Sequence, residues 1–302
     1  MTFESLMTKL RNLNSSVEAL AAIGAEARLR QEEFDGDPRV RSLLQEVVHH
    51  SAPELLDGLD ANQERAALAL IQTSFRQALD LLENPARTPG WNYRDPVILE
   101  SQGQISRLTF RGIDTLAAQR PDLAAALRQP GAFLDVGTGV GWIAIEAARS
   151  WPAQRVVGID SWEPALALAR KNLSLSGVTE RVELRSQRVE DLDDKETFTL
   201  AWLPGPFIPL RVGAIALQRI HRALVPGGWL IFGLNPGPPS ALDEALTNLR
   251  IVRGGGHPWT TKEVEERLGA YGFERIEAWS PFPPIMFVLG QRPDISDSDC
   301  GR

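Results

Sequence analysis

Thiols, phenols and imidazoles are scarce in this chain: its 302 residues include one cysteine, two tyrosines and four histidines. A lone Cys300 excludes a disulfide framework and any thiolate metal centre, and the expectation is a protein of a reducing cytoplasm. Long apolar runs are missing too. No stretch reaches the ~20 residues that a membrane-spanning helix needs, and residues 1–11 lack the apolar centre of a signal peptide. Nor is there a surplus of positive charge, since 32 Lys and Arg stand against 39 Asp and Glu, a formal net charge of −7. Phosphate backbones call for concentrated basic surface, so nucleic acid is not the expected partner.

What is present is an ordinary globular composition, 43% hydrophobic and 24% charged, in a length that suits about two domains. Up to about Gln129 the pattern is helical. Leu68, Ile71, Phe75, Leu79 and Leu82 recur every three or four positions within Ala61 to Glu83 and predict one buried stripe. Val40 to Leu59 reads the same way, and Leu10 to Arg30 is a weaker, alanine-rich case. Asn84 to Asp95 holds two prolines and a glycine and predicts a loop. Asp95 then caps a helix with Pro96 in its first turn, running to about Ala118.

From Ala132 the texture alternates. Ala132–Val136, Arg155–Ile159, Val182–Arg185, Thr199–Leu203 and Trp229–Gly233 read as buried parallel strands, with helices at Trp142 to Ser150 and Glu163 to Ser176. Arg275–Trp279 and Ile285–Gly290 read as a closing antiparallel pair. The expected architecture is α/β, with a Rossmann-like, mostly parallel sheet of seven strands and a helical N-terminal domain. The expected boundaries are 1–128 for the helical domain, 129–292 for the α/β domain, and 293–302 for a disordered tail.

The chemistry concentrates in Phe133-Leu-Asp-Val-Gly-Thr-Gly-Val-Gly-Trp142. A strand ends at Val136, the chain turns on Gly137, Gly139 and Gly141, and a helix follows. Glycines there permit a sharp bend and a close ligand approach. Dinucleotide dehydrogenases use a similar turn, but Asp135 would repel a pyrophosphate and attract an ammonium group. Asp160 ends the next strand, Arg155-Val-Val-Gly-Ile-Asp160, where a carboxylate can accept hydrogen bonds from both ribose hydroxyls. The bland alternative for Asp160 is a cap for the helix that follows.

These residues resemble the class I S-adenosylmethionine-dependent methyltransferases, over roughly Gly131 to Arg292. Asp135 to Gly141, including Thr138, match the family's first motif, and Asp160 matches its ribose ligand, with Ser161 beside it. Arg181 to Leu192 resembles the third strand and adenine turn, which implies contacts from Gln187, Arg188 or the backbone of Val189. Arg188 stands where that turn usually carries an aspartate. Ala223 to Ile231 looks like the "L-x-P-G-G" turn into the fifth strand. The resemblance implies S-adenosyl-L-methionine as cofactor, with Leu203 at the end of the fourth strand and Gln102 on a covering helix as further contacts. Trp202-Leu-Pro-Gly-Pro-Phe-Ile-Pro209 resembles a turn of bacterial small-molecule (natural-product) methyltransferases. It lacks the Asn-Pro-Pro pattern of amino-group enzymes and the Asp and Asn cluster of metal-dependent ones, and no metal is expected.

Trp91, Trp202, Pro204, Phe207 and Trp259 are the expected acceptor-binding residues, which points to an aromatic or apolar small molecule. Trp91 or Tyr93 would lie over the sulfonium, as part of a lid, or else pack a domain junction. His257 and Tyr93 are the candidate bases. His221 reads as an exposed helix position, and His49 and His50 have too few partners for a metal. O-methylation and C-methylation, indole-ring methylation included, both stay open. So do a nicotinamide-dependent oxidoreductase and a cofactor-binding partner protein without turnover. The helical region has apolar surface for a lid or a homodimer interface.

Overall fold

The computed structural model describes residues 2–31, 37–235, 240–282 and 285–294. They fall into two compact units: Met1–Pro85 with Glu100–Ile105, and Ala86–Leu99 with Ser106–Arg302.

The helical unit contains α1 (Phe3–Gln31), α2 (Pro38–Ser51) and α3 (Ala61–Glu83). Asp60 caps α3 by accepting the Asn62 and Gln63 N–H groups at 2.7 and 2.9 Å, and Gln63 closes the box back onto the Asp60 N–H at 2.8 Å. Its core is Ile23, Ala27, Leu56 and Ile71, with Leu68 and Phe75 packed against them. The stripe expected on α3 is buried only that far, since Leu79 and Leu82 are exposed. α2 ends at Ser51 rather than near Leu59, because Pro53 offers no N–H to continue the ladder.

α4 (Pro96–Gln119) and α5 (Pro121–Leu127) lead into the sheet. Asp95 caps α4 through the Val97 N–H at 2.9 Å, as expected. The α/β unit then runs β1 (Gly131–Val136), α6 (Trp142–Ser150), β2 (Gln154–Asp160), α7 (Glu163–Ser174), β3 (Val182–Ser186), β4 (Phe198–Pro204), α8 (Leu210–Ala223), β5 (Leu224–Leu234), α9 (Ala241–Arg253), α10 (Thr261–Ala270), β6 (Glu274–Phe282) and β7 (Ile285–Gln291). The strands form one seven-stranded sheet in the order β3-β2-β1-β4-β5-β7-β6. β1 to β5 are parallel, and β7 lies antiparallel between β5 and β6.

Side chains alternate across the sheet and feed two cores. Leu134, Ala201, Leu203, Leu230 and Phe232 fill one. Phe133, Leu200, Trp202, Trp229 and Ile231 fill the other, together with Phe110, Ile113, Leu116, Leu123 and Leu127. Residues 106–128 therefore belong to the α/β unit, and the domain boundary expected at 128 moves back to Pro85 and Ala86. β5 begins five residues earlier than expected. Phe198 pairs with Leu224 and Leu200 with Trp229, so Val225 to Gly228 bulge out of a strand already under way. The tail expected at 293–302 lies, from residue 295 on, outside the described residues.

The strand order reverses between β1 and β4, which opens a crevice at their carboxyl ends. The glycine-rich turn leaves β1 there.

Candidate functional site

Gly137, Gly139 and Gly141 adopt φ of +65°, +57° and +86°, a left-handed backbone that other residues rarely accept. Gly141 is pressed onto α7, where a Cβ would stand 3.2 Å from that of Ala169. Gly139 differs: a Cβ there would meet nothing nearer than 3.9 Å, so its surface faces open space. The turn ends at Trp142 on the N-terminus of α6, whose positive dipole end favours negative or electron-rich ligand atoms.

Two carboxylates brace this loop. Asp160 takes the Gly139 N–H on Oδ2 and the Trp162 N–H on Oδ1, each at 2.8 Å. The second bond sets the turn into α7, so the capping role is real. Each oxygen keeps a lone pair for a further donor, which suits two ribose hydroxyls. Burial raises the Asp160 pKa above the usual carboxylate range.

Asp135 is fully buried, and its Oδ2 accepts the Thr138 hydroxyl at 2.6 Å. Oδ1 has no hydrogen-bond partner. Burial, opposed by the Thr138 hydrogen bond and reinforced by the negative charge of Asp160, pushes its pKa up to about 7. Asp135 has no open surface, so its charge reaches the crevice only through space. Thr138 is likewise spent within the loop, its N–H bonded to the Ile159 carbonyl at 3.0 Å.

The turn after β3 joins the site through backbone: the Gln187 N–H donates to the Asp160 carbonyl at 2.9 Å, and its side chain closes on the Asp191 carbonyl at 3.0 Å. Arg188 is exposed and paired with Glu190, while Val189 is buried in the core. Ser161 is exposed beside Asp160. Gln102 lies on Glu100–Ile105, the stretch of α4 that belongs to the helical unit.

On the other side of the crevice, Pro204 approaches the glycine turn, with its Cγ 3.2 Å from where a Gly137 Cβ would sit. Phe207, 38% exposed, meets Trp91 edge to face at 5.1 Å, and Trp91 meets Tyr93 at 5.2 Å. Both rings pack with Leu99, Trp142, Trp162 and Val140 of the glycine turn. Trp162 Nε1 donates to the Tyr93 carbonyl at 2.7 Å, tying this aromatic segment to the end of β2. Arg87 donates to the Tyr93 hydroxyl at 3.3 Å. The loop Gly254-Gly255-Gly256 lies against both walls. A Cβ on Gly256 would fall 1.8 Å from the Pro206 carbonyl oxygen, and one on Gly255 would fall 2.9 Å from Gly90 Cα.

Beyond that loop, His257 Nε2 is 3.2 Å from Glu263 Oε2, and its ring packs edge to face on Trp259 at 4.7 Å. With Nε2 turned to the carboxylate, Nδ1 is the ring nitrogen on the opposite side. Arg267 holds the other Glu263 oxygen at 3.4 Å.

Residues 133–228 match a family model described as a methyltransferase domain. Over 196 residues the chain is 28% identical to demethylmenaquinone methyltransferase of Thermus thermophilus, 61% of this chain and 83% of that protein. Over 107 residues it is 36% identical to ribosomal protein L11 methyltransferase of Geobacter metallireducens, a third of this chain and 31% of that protein. An O-methyltransferase family protein from Burkholderia thailandensis superposes with a TM-score of 0.67 at 15% identity, covering 97% of this chain and 99% of that one. The α/β unit carries a methyltransferase domain over residues 133–228.

S-adenosylmethionine is the cofactor of such a domain, and the residues present fit it. The methyltransferase turn offers open space over Gly139, a buried carboxylate oxygen without a partner, and spare lone pairs on Asp160. Three expected contacts are corrected. The Leu203 side chain is fully buried in one core and Trp202 in the other, where it packs on Phe287 at 5.6 Å. Trp259 is buried as well, its Nε1 bonded to the Ile208 carbonyl at 3.0 Å. All three hold the methyltransferase fold rather than line its crevice. His221 is half-buried rather than exposed, bonded to the Gly272 carbonyl at 3.3 Å and packed on Phe273, with its pKa lowered by burial. Among the described residues no group of three or more His, Cys, Asp or Glu could hold a metal, and no helix is long and apolar enough to cross a membrane.

Sequence reading missed Trp162, Arg87 and Glu263. Trp162 stands two residues beyond Asp160 and belongs to no motif of its own. Glu263 lies at capping-box spacing from Thr260, whose hydroxyl accepts its N–H at 3.2 Å, and that local role hides the one toward His257.

Proposed function

We propose that the protein transfers a methyl group from S-adenosylmethionine to a hydroxyl of a small aromatic acceptor, with His257 as the base. The observation that carries this is the His257–Glu263 pair, one glycine loop away from the exposed face of Phe207. When bound, the cofactor supplies a methyl carbon made electrophilic by its sulfonium. The protein's own work is alignment and proton removal. Asp160 holds the nucleoside side, while Phe207 and Trp91 offer flat apolar surface to an aromatic ring. Alignment of two reactants contributes ~7–11 kcal/mol toward the barrier. His257 Nδ1 accepts the hydroxyl proton, and Glu263 steadies the imidazolium that results. Gln102 remains a proposed cofactor contact.

A two-stage measurement tests this. S-adenosylhomocysteine and NADH are first titrated by calorimetry, and binding of NADH alone would end the methyltransferase reading. A panel of phenols and indoles is then incubated with S-adenosylmethionine, and the methyl position is read by NMR. The expected result is a methyl ether, formed at least 100-fold more slowly by His257→Gln. A methyl on a ring carbon would replace O-methylation by C-methylation, and binding without turnover on any acceptor would leave a silent binding protein.

A further inference from the structure

Away from the crevice, toward the amino ends of β5 and β6, an open cavity of about 460 Å³ is lined by Gln119, Arg120, Pro121, Asp122 and Arg275. Its size falls in the range of small-molecule pockets. Both arginines lie against one indole. Their guanidinium carbons stand 4.4 and 5.0 Å from the ring centroid of Trp229, which is itself essentially inaccessible. Arg275 reaches that ring from an irregular backbone. β6 slips register on β7 between Glu274 and Glu277, and within this bulge Arg275 has a φ of +50°. Glycine adopts such a conformation freely and other residues do not, so strain is stored at a residue whose side chain lines the cavity.

Four charges meet at this place and cancel. Arg120 pairs with Glu277, and Arg275 Nη1 lies 2.8 Å from Asp122 Oδ2. The network leaves a donor and an acceptor over. Arg120 Nε is buried, and Asp122 Oδ1 at 3.7 Å is too distant for a hydrogen bond to it. Asp122 Oδ2 is also buried without a hydrogen-bond partner, its ion pair with Arg275 lying outside hydrogen-bond geometry. We propose that this cavity binds a free α-amino acid. Such a molecule presents a carboxylate to the spare guanidinium N–H and, one carbon away, an ammonium to the spare Asp122 oxygen. It adds no net charge to a cluster already in balance. A lone anion such as phosphate would have to displace Asp122 or Glu277, and a lone cation would face two guanidinium groups. Gln119 and Pro121 remain to meet the ligand's own side chain. The inference is independent of which acceptor the crevice takes.

Calorimetry on the full chain, with the crevice saturated by S-adenosylhomocysteine, is the test. The probes are the standard amino acids, phosphate, acetate, methylammonium and glycine betaine. At least one amino acid is expected to bind with a dissociation constant of about 1 mM or tighter. The simple ions are expected to bind at least tenfold more weakly, and so is glycine betaine, a zwitterion without N–H donors. Arg275→Gly suits the backbone of that position and removes one guanidinium. It is expected to weaken the amino acid at least tenfold while S-adenosylhomocysteine binds as in the parent. Should that variant fail to fold, Asp122→Asn, which keeps the shape and removes the charge, is expected to weaken the amino acid at least fivefold. Four results would each overturn the proposal: no amino acid binding, phosphate binding as tightly, an affinity indifferent to the variants, or amino acid binding seen only without S-adenosylhomocysteine.

Discussion

The two units treat their apolar residues in opposite ways. In the α/β unit, Phe133, Phe198, Trp229, Phe232 and Phe287 are all essentially inaccessible, and both faces of the sheet are covered. In the helical unit, the core is four buried residues and their neighbours, while leucines along α1 and α3 stand in the open. The lesson is that identical residue types carry different weight in the two halves. An apolar side chain of the sheet is structural by default, so its polar exceptions mark the site. An apolar side chain of the helices is as often an outward surface.

Four experiments press on that contrast. Phe133→Ala empties a fully buried position, and urea denaturation should show a loss of about 3–5 kcal/mol. A loss below about 1 kcal/mol would mean that the sheet is less tightly packed than its burial implies. Asp160→Ala removes the acceptor of two backbone N–H groups, each such charged bond being worth about 1.5–3 kcal/mol. Binding of S-adenosylhomocysteine should weaken at least tenfold by calorimetry, and unchanged affinity would remove Asp160 from the site.

The third experiment follows pH. The Asp135 carboxyl is pushed up to about 7 in the folded chain, from an ordinary 3.8. The folded state therefore holds this proton more tightly, and the contribution is present below about pH 4 and lost as pH rises through 7. Stability of the ligand-free protein should fall across that window, and Asp135→Asn should flatten the decline. A ligand ammonium favours the ionised form, so S-adenosylhomocysteine should bind several-fold better at pH 8 than at pH 6, a difference that the Asn variant lacks. The smallest effect belongs to the helical unit: Leu79→Ser and Leu82→Ser, at 53% and 79% exposure, should each change stability by less than about 0.5 kcal/mol.

The glycine turn and its two carboxylates were legible because their signals are local. Buried parallel strands read as short apolar runs, and a turn with three positive φ angles has to be written in glycine. The acceptor half is tertiary. Trp202 and Leu203 are adjacent in β4 and so point to opposite faces, each into a covered core. Trp259 looked available because its indole N–H finds a partner in the Ile208 carbonyl, 51 residues away. α5, α9 and α10 went unread between stronger signals, and the boundary at 128 followed a change of texture rather than of packing.

The meetings of Gly90 with Gly255 and of Pro206 with Gly256 bear on engineering. Three distant stretches of chain touch there main chain to main chain, with no side chain interposed. Single substitutions at the contact either clash or do nothing, so the spacing of the walls resists gradual adjustment. On the proposed reading, variation in what the protein accepts is channelled instead into the rings that hang from those walls, Phe207 and Trp91 above all. Libraries built at these two positions should shift acceptor preference while leaving the scaffold intact.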